Sequence, residues 1–344
     1  MLQIDAYLSI LVHQSPTIRY QEIRIPLPKS TRLWAAVDDP DRRKLEWDEP
    51  AGREKAIFSS LMREVANLQI SDNLPHHLTP ADYHLELCSL QVGIWEVAQE
   101  TSSCESDEFV VPSSPTCPIQ VRRAHQDLWR ASAEEDCHLR SNYFTAPTPS
   151  TDTIFPPATL ILYHLSAITL HAPFKLLKNQ TCCPNCRTDT AMASRKNKTL
   201  LRAWVTAPQA RTAVWNAAQI ARILAKETAR PDPSTFLLLN PLAIPALLDS
   251  AIVVCAYAHH TVACPACTGE SMVDLVDIFG AGDDEERLVA WREVGVGLAD
   301  WVPGQFPVCR CKVGTLAAWF RRVLAVDKSL EAEFVTFLRG LERV

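Results

Sequence analysis

Glycine is scarce in this sequence, with 10 among 344 residues against 24 prolines. A share of about 3%, where ~7% is usual, leaves little for chemistry that needs several glycine loops, and this disfavours nucleotide-cradling folds. A basic surplus is missing as well. Lysine and arginine together number 34 against 40 acidic residues, a formal net charge of -6, so the chain as a whole has no attraction for a polyanionic phosphate backbone. No stretch reaches the ~18 uncharged apolar residues that span a bilayer; the nearest, 240–257, contains Asp249, Pro241 and Pro245. The opening residues lack a basic lead, and Asp5 interrupts the apolar stretch before it reaches signal length, so no export signal is expected. Reduced thiols are then the default, and the expectation is a soluble intracellular protein. No internal repeat of fixed period occurs. There is also no glycine-serine-glycine elbow, phosphate loop or dinucleotide fingerprint. Catalysis therefore has no positive support, and no catalytic or cofactor-binding residue is expected.

Apolar material is abundant. Hydrophobic residues make up 47% and charged residues 22%, enough for a sizeable core, which excludes a mainly disordered chain. Most segments with a clear period have the helical one. In 206–226, Ala213, Ala217, Ile220 and Leu224 form one stripe while Arg211, Arg222 and Lys226 can point to water. Thr206 and Pro208 mark the start of that helix, a capping residue and a proline that a first turn tolerates. Asn240-Pro241 repeats the signal before 242–259, and Thr79-Pro80 before 81–99. A further apolar helix over 155–178 should kink or end at Pro173. Helices over 54–68, 121–140, 313–325 and 330–341 complete a set of at least eight, with hardly a strand. The fold class expected is all-α, an irregular multi-helix bundle forming a single domain over 1–344. Loops are expected over 101–118, over 179–203 with its polar, cysteine-bearing part at 179–198, and over 264–286 with the acidic run Asp283-Asp284-Glu285-Glu286. That run reads as a solvated loop.

Twelve cysteines invite a metal or disulfide reading. Cys183-Pro184-Asn185-Cys186 and Cys264-Pro265-Ala266-Cys267 each have the two-residue gap that can direct two thiolates at one tetrahedral zinc. They are separated by 77 residues, far more than the ~12 to 20 of a zinc-binding module. They could share a metal only if helical packing brought their loops together, with His259 or His260 as a nitrogen ligand. Unpaired loop thiols are the alternative, and no metal ligand is assigned. The one-residue gap of Cys309-Arg310-Cys311 suits a turn better than a zinc pair. Cys88 and Cys255 fall in helical apolar patterns and read as small core residues, while Cys182 adds a thiol without a second geometry. His164 and His171 lie seven apart on one helix face, a spacing that permits a shared ligand but equally suits core histidines. His76-His77 reads as a loop pair, and Glu134-Glu135-Asp136 as a solvated helix face. Arg195-Lys196-Asn197-Lys198 with Arg202 is the densest basic cluster. It reads as a solvated loop, with an import signal or a phosphate contact as the alternatives. No aromatic residue alternates with these bases, so a single-strand platform is not expected.

Two stretches carry a resemblance when taken together. Leu162-Tyr163-His164-Leu165-Ser166-Ala167-Ile168-Thr169-Leu170-His171-Ala172-Pro173-Phe174-Lys175-Leu176-Leu177 is followed by Ala210-Arg211-Thr212-Ala213-Val214-Trp215-Asn216-Ala217-Ala218-Gln219-Ile220. The pair resembles the fungal-specific transcription factor regulatory domain, also called the middle homology region or xylanolytic-activator-type domain. Upstream, Glu22-Ile23-Arg24-Ile25-Pro26-Leu27-Pro28, leading to Leu33-Trp34-Ala35-Ala36 and Leu45-Glu46-Trp47, is similar to the segment this family places there. The order and approximate spacing fit, and the resemblance covers most of the chain. It implies an all-helical regulatory domain in a nuclear transcription factor, carried behind an N-terminal zinc-dependent DNA-binding module. That module would be a six-cysteine binuclear cluster or tandem two-cysteine, two-histidine fingers. No such array precedes Glu22, so an N-terminally truncated chain is expected, and zinc and DNA binding carry over to the family rather than to any residue here. The partners implied are other transcription-factor subunits or coregulators and a second copy of the chain in a homodimer. DNA enters only through the absent module, and no membrane is implied.

Three readings compete: the regulatory domain, a stand-alone protein-interaction modulator without DNA binding, and an enzyme or zinc-stabilised binding protein resting on the two cysteine pairs alone. Elemental analysis of the purified chain decides the third, because a structural zinc site should be nearly filled. The expected content is below about 0.2 zinc per chain, and a stoichiometric amount would reinstate the zinc reading.

Overall fold

The computed structural model describes residues 1–29, 33, 36–49, 55–67, 79–103, 118–131, 155–179, 190–228, 240–261, 272–275, 283–301, 306–325 and 327–342. The fold is all-α, with 13 α-helices among the described residues. These divide into two compact units, one comprising Met1–Gln99 and Asp107–Tyr163, the other Glu100–Ser106 and His164–Val344.

The first unit opens with α1 (Leu2–Val12), which ends where His13 adopts the left-handed conformation at φ 51° and Gln14 N–H donates to the Ser9 carbonyl at 3.1 Å. That geometry closes the orphan carbonyls of a helix end, here without the customary glycine. Helix α2 (Asp39–Asp48) places Pro40, Asp39 and Asp41 in its first turn. It has no apolar stripe, which is why the sequence pattern passed over it. In α3 (Phe58–Asn67), Phe58, Leu61 and Met62 are buried, and this helix packs on α5 (Pro118–Ala131) through Val121, Ala124, His125 and Leu128. Steps of three and four residues put these groups on one face. Helix α4 (Pro80–Ser103) begins with a reciprocal cap, in which Thr79 N–H and Oγ1 donate to Asp82 at 2.7 and 2.8 Å. The capping-box spacing explains the start at Thr79-Pro80.

Helix α6 (Phe155–His171) contains the division between the units and stops before Pro173, after which α7 (Phe174–Asn179) resumes. The proline denies the ladder an N–H, so the break falls where the sequence placed it. In the second unit, α9 (Pro208–Thr228) lies along α10 (Ala243–His260) in the most extensive helix pairing there. Ala213, Ala217 and Ala221 face the interior on α9, as do Ala246, Ser250, Ala251 and Ala258 on α10. Small side chains allow two helix axes to approach closely. Asn240 caps the entry to α10, its Oδ1 accepting from Leu242 N–H at 3.2 Å. Helices α12 (Val313–Leu324) and α13 (Lys328–Glu342) cover α10, and α8 (Thr190–Thr206) packs on both α9 and α10. A small sheet, β1 (Met272–Asp274) parallel to β2 (Leu298–Trp301) and β2 antiparallel to β3 (Phe306–Pro307), accompanies α11 (Asp283–Val294). Trp301, Phe320, Phe334 and Phe337 form a buried aromatic run, with Trp301 and Phe320 centroids 5.2 Å apart.

All three expected loops are partly helical, 101–118 through the last residues of α4, which runs to Ser103. Helix α8 starts at Thr190, inside 179–203, and the acidic run opens α11 rather than lying in the loop over 264–286. Acidic residues at a helix N-terminus interact favourably with its exposed N–H groups, so a run that looks like solvated loop is also a helix start. Helix α10 is the one helix among the described residues long and apolar enough to cross a bilayer, at 18 residues, with Asp249 within it. Asp249, which seemed to interrupt it, is offset by Lys178 at 3.2 Å, and 72% of the helix is buried against protein. Pro245 falls in its first turn, where no intrahelical N–H is needed.

Trp215 stands 5% exposed at the centre of α9. Its replacement by alanine should cost about 3 to 5 kcal/mol; an unchanged thermal midpoint for Trp215→Ala would show that α9 is not the core of its unit.

Candidate functional site

Three polar assemblies stand out from the apolar packing. In the first unit, His84 on α4 lies between two hydroxyls, Tyr7 Oη at 3.1 Å from Nε2 and Thr159 Oγ1 at 3.1 Å from Nδ1. A neutral imidazole has one donor and one acceptor nitrogen, so one hydroxyl donates to it and the other accepts. Burial holds His84 in that neutral form by pushing its pKa down to about 4. His125 is held alike at about 4 by burial, against the opposing effect of its Nε2–H bond to the Tyr163 carbonyl at 3.0 Å, and its ring stacks on Tyr163 at 4.1 Å.

Glu86, on the same helix as His84, is fully buried, and neither carboxyl oxygen has a hydrogen-bond partner among the described residues. Desolvation, followed by the charge of Asp82 one turn earlier, raises its pKa to about 8, so it is a neutral carboxylic acid at pH 7. The nearby Cys88 thiol is driven far above its ordinary range by burial, which makes it a packing group rather than a nucleophile.

In the second unit, the two stretches that carry the family resemblance meet. Asn216 Nδ2 donates to the Thr212 carbonyl at 2.8 Å, which turns its Oδ1 toward His164 Nδ1 at 2.8 Å and assigns the proton to that nitrogen. Trp215 meets the same imidazole edge to face at 5.7 Å. Trp204 Nε1–H donates to the His171 carbonyl at 2.9 Å. Arg211, 6% exposed, donates to the carbonyls of Thr206, Arg292 and Glu293 at 3.0, 2.9 and 3.0 Å. Gly295, at φ +86°, lets the chain turn beside it; a Cβ there would stand 3.1 Å from Arg211 Nη1.

The third assembly lies at the carboxyl end of α10. His259 and His260 contact edge to face at 4.8 Å. Burial lowers both pKa values, His260 to about 4, and the positive charges of Lys198 and Arg310 lower both further, with Arg202 also acting on His260. The basic cluster expected in a loop is thus helical, on α8 beside α10.

Cys182, Cys183, Cys186, Cys264, Cys267, the His76-His77 pair and Glu134-Glu135-Asp136 lie outside the described residues. Among the described residues no group of three or more histidine, cysteine or acidic side chains is arranged to hold a metal. His164 has its Nδ1 on Asn216, and the backbone carbonyl of His171 accepts from Trp204. Cys88 and Cys255 are buried, as their helical positions imply; Cys309 is buried and Cys311 exposed on either side of Arg310. Sequence reasoning missed Glu86, which lies one turn from Asp82 in a helix whose pattern was read only for its apolar residues. The cationic end of α10 combines residues 198, 202, 260 and 310, a separation that no local pattern spans.

No family model, curated protein or solved structure matches this chain.

The buried titrating groups set a pH profile for stability. Below their ordinary value of 6.5, His84 and His125 take up protons more readily unfolded than folded, so stability is lost as pH falls from 6.5 toward about 4. Glu86 acts in the opposite sense, since its raised pKa makes the folded chain hold a proton that the unfolded chain releases above 4.5, and stability is lost as pH rises toward about 8. With two histidines against one acid, the maximum should lie near pH 6.5. Above it, urea midpoints should fall, at a limiting slope of about 1.4 kcal/mol per pH unit. Glu86→Gln should flatten that fall; a variant profile identical to that of the parent would mean that Glu86 is not the group responsible.

Proposed function

We propose that this chain is the regulatory domain of a fungal zinc-finger-type transcription factor, acting in the nucleus to control transcription through protein contacts or effector binding. The observation that carries the reading is the meeting of the two resembling stretches. His164 of the first and Asn216 of the second share a buried hydrogen bond, with Trp215 packed edge to face on the same imidazole. The two stretches thus pack on each other within one unit. The helical architecture and the formal charge of -6 agree with a domain that leaves DNA contact to another module. Zinc belongs to that module in this reading, and the partners are coregulators, other transcription-factor subunits or a second copy of the chain.

The negative charge also suits the stand-alone modulator, which would act on a full-length relative without a DNA-binding module of its own. Tethering tests the regulatory reading. Fused to an unrelated DNA-binding module in a fungal host, the chain should change expression of a reporter that carries the matching site, in either direction. Expression equal to that given by the DNA-binding module alone, with the fusion folded and present in the nucleus, would overturn it.

A further inference from the structure

A helix that is apolar on every side is ordinarily enclosed on every side, in a protein core or in a membrane. Helix α1 departs from this. Its inner stripe, Leu2, Ala6 and Ser9 with Tyr7, is buried within its own unit, where Tyr7 Oη bonds His84. Its outer stripe is as apolar but uncovered, with Ile4 57% exposed, Leu8 52%, Leu11 37% and Val12 52%. Met1, Ile4, Leu8 and Leu11 follow one another at steps of three, four and three residues, the spacing of a coiled-coil seam. Asp5 is the one charged side chain of α1. It is engaged by the chain that follows, accepting from Thr17 N–H at 2.9 Å, Thr17 Oγ1 at 2.6 Å and Ile18 N–H at 2.8 Å. The outer stripe therefore carries no charged side chain.

We propose that this stripe docks a second copy of the chain, α1 against α1, in a two-fold symmetric dimer. A two-fold interface sets the same patch against itself, so a charged patch repels its own copy while an uncharged apolar one is self-complementary. The antiparallel arrangement places the two helix dipoles head to tail. Leu8 of each copy then meets the other near the axis, and Ile4 faces Leu11 of the second copy. Met1, Ile4, Leu8, Leu11 and Val12 of both copies together withdraw on the order of 1,000 Å² from water, the lower bound for a specific interface. Because α1 is already held by its own unit, little ordering is needed on association. A bilayer fits the stripe less well. The 11 residues of α1 span about 17 Å, short of a hydrocarbon core of about 30 Å. A helix lying in the membrane interface uses lysine and arginine toward anionic headgroups, and α1 has neither. The dimer depends on α1 rather than on the transcriptional reading, so its test and the tethered reporter can fail separately.

Sedimentation equilibrium of the full chain is the test. Between about 1 and about 100 μM, the range in which an interface of this size assembles, the average mass should rise from the 38.4 kDa of one copy toward twice that value. Ile4→Lys and Leu8→Glu should each weaken association about tenfold or more, since each places a charge in the apolar seam. Both positions are more than half exposed, and unchanged circular dichroism at the dilute end would show that the variants fold. Ile4→Lys combined with Leu11→Glu in one chain should restore the dimer, because antiparallel pairing sets each new cation opposite a new carboxylate. Val294→Glu, at a position 73% exposed on α11, should associate as the parent does. The proposal is overturned if the mass stays at one copy throughout, or if Ile4→Lys and Leu8→Glu dimerise undiminished. It is overturned equally if the paired variant associates no better than Ile4→Lys, or if a chain that stays monomeric binds phosphatidylcholine vesicles and Leu8→Glu abolishes that binding.

Discussion

An apolar helix of 18 residues has to be enclosed on every side, and most of the second unit is arranged to enclose α10. Its buried residues follow one another almost without interruption from Ala246 to Ala258. No single amphipathic neighbour can cover such a surface, because a helix buries only one stripe against each partner. Helix α9 takes one side through its alanines, α12 and α13 another, and α8 and the 3₁₀ turn Arg310–Lys312 the carboxyl end. The positions of the charged groups follow from this enclosure. Asp249 is tolerated because Lys178 reaches it, and the histidines escape full burial only because α10 ends there.

The first unit carries a different burden. Its interior contains Asp82, His84, Glu86 and His125, each buried, beside leucines and valines. The histidines are accommodated by neutral forms with hydroxyl or carbonyl partners, and Asp82 is absorbed into the cap of α4. Glu86 alone has no such arrangement, and its neutrality is the only way an isolated buried carboxyl avoids the cost of a desolvated charge. A group left in that condition makes the unit sensitive to alkali in a range where most proteins are at their most stable.

Much of this architecture was legible in the sequence wherever a local cue coincided with an apolar period. Pro173 ended α6, Asn240-Pro241 introduced α10, and Thr79 capped α4 through Asp82. Of the helices overlooked, α2 and α11 have charged opening turns, and such turns are written in the same residues as a solvated loop, while α8 carries the basic cluster from Arg195 to Lys198 in its middle. The polar assemblies were less legible. Whether His164 would bind a ligand or pack in the core depended on Asn216, 52 residues away, and the cations that act on His260 come from two elements far apart in the chain. Composition and periodicity report which face a helix hides, while the identity of the group it meets there is decided by tertiary packing.

Arg211 adds a consequence of another kind. A helix ordinarily finishes with its own C-terminal residues or with water satisfying its last carbonyls. Helix α11 instead has the carbonyls of Arg292 and Glu293 held by a guanidinium that belongs to α9, and the same guanidinium grips the Thr206 carbonyl at the end of α8. Two helices thus share one terminator, supplied by a third from as far as 82 positions away in the chain. Their ends are cooperative: α11 cannot unravel from its carboxyl end without releasing a cation that would then be left among the buried residues of α9, and this binds the fraying of one element to the integrity of the other two.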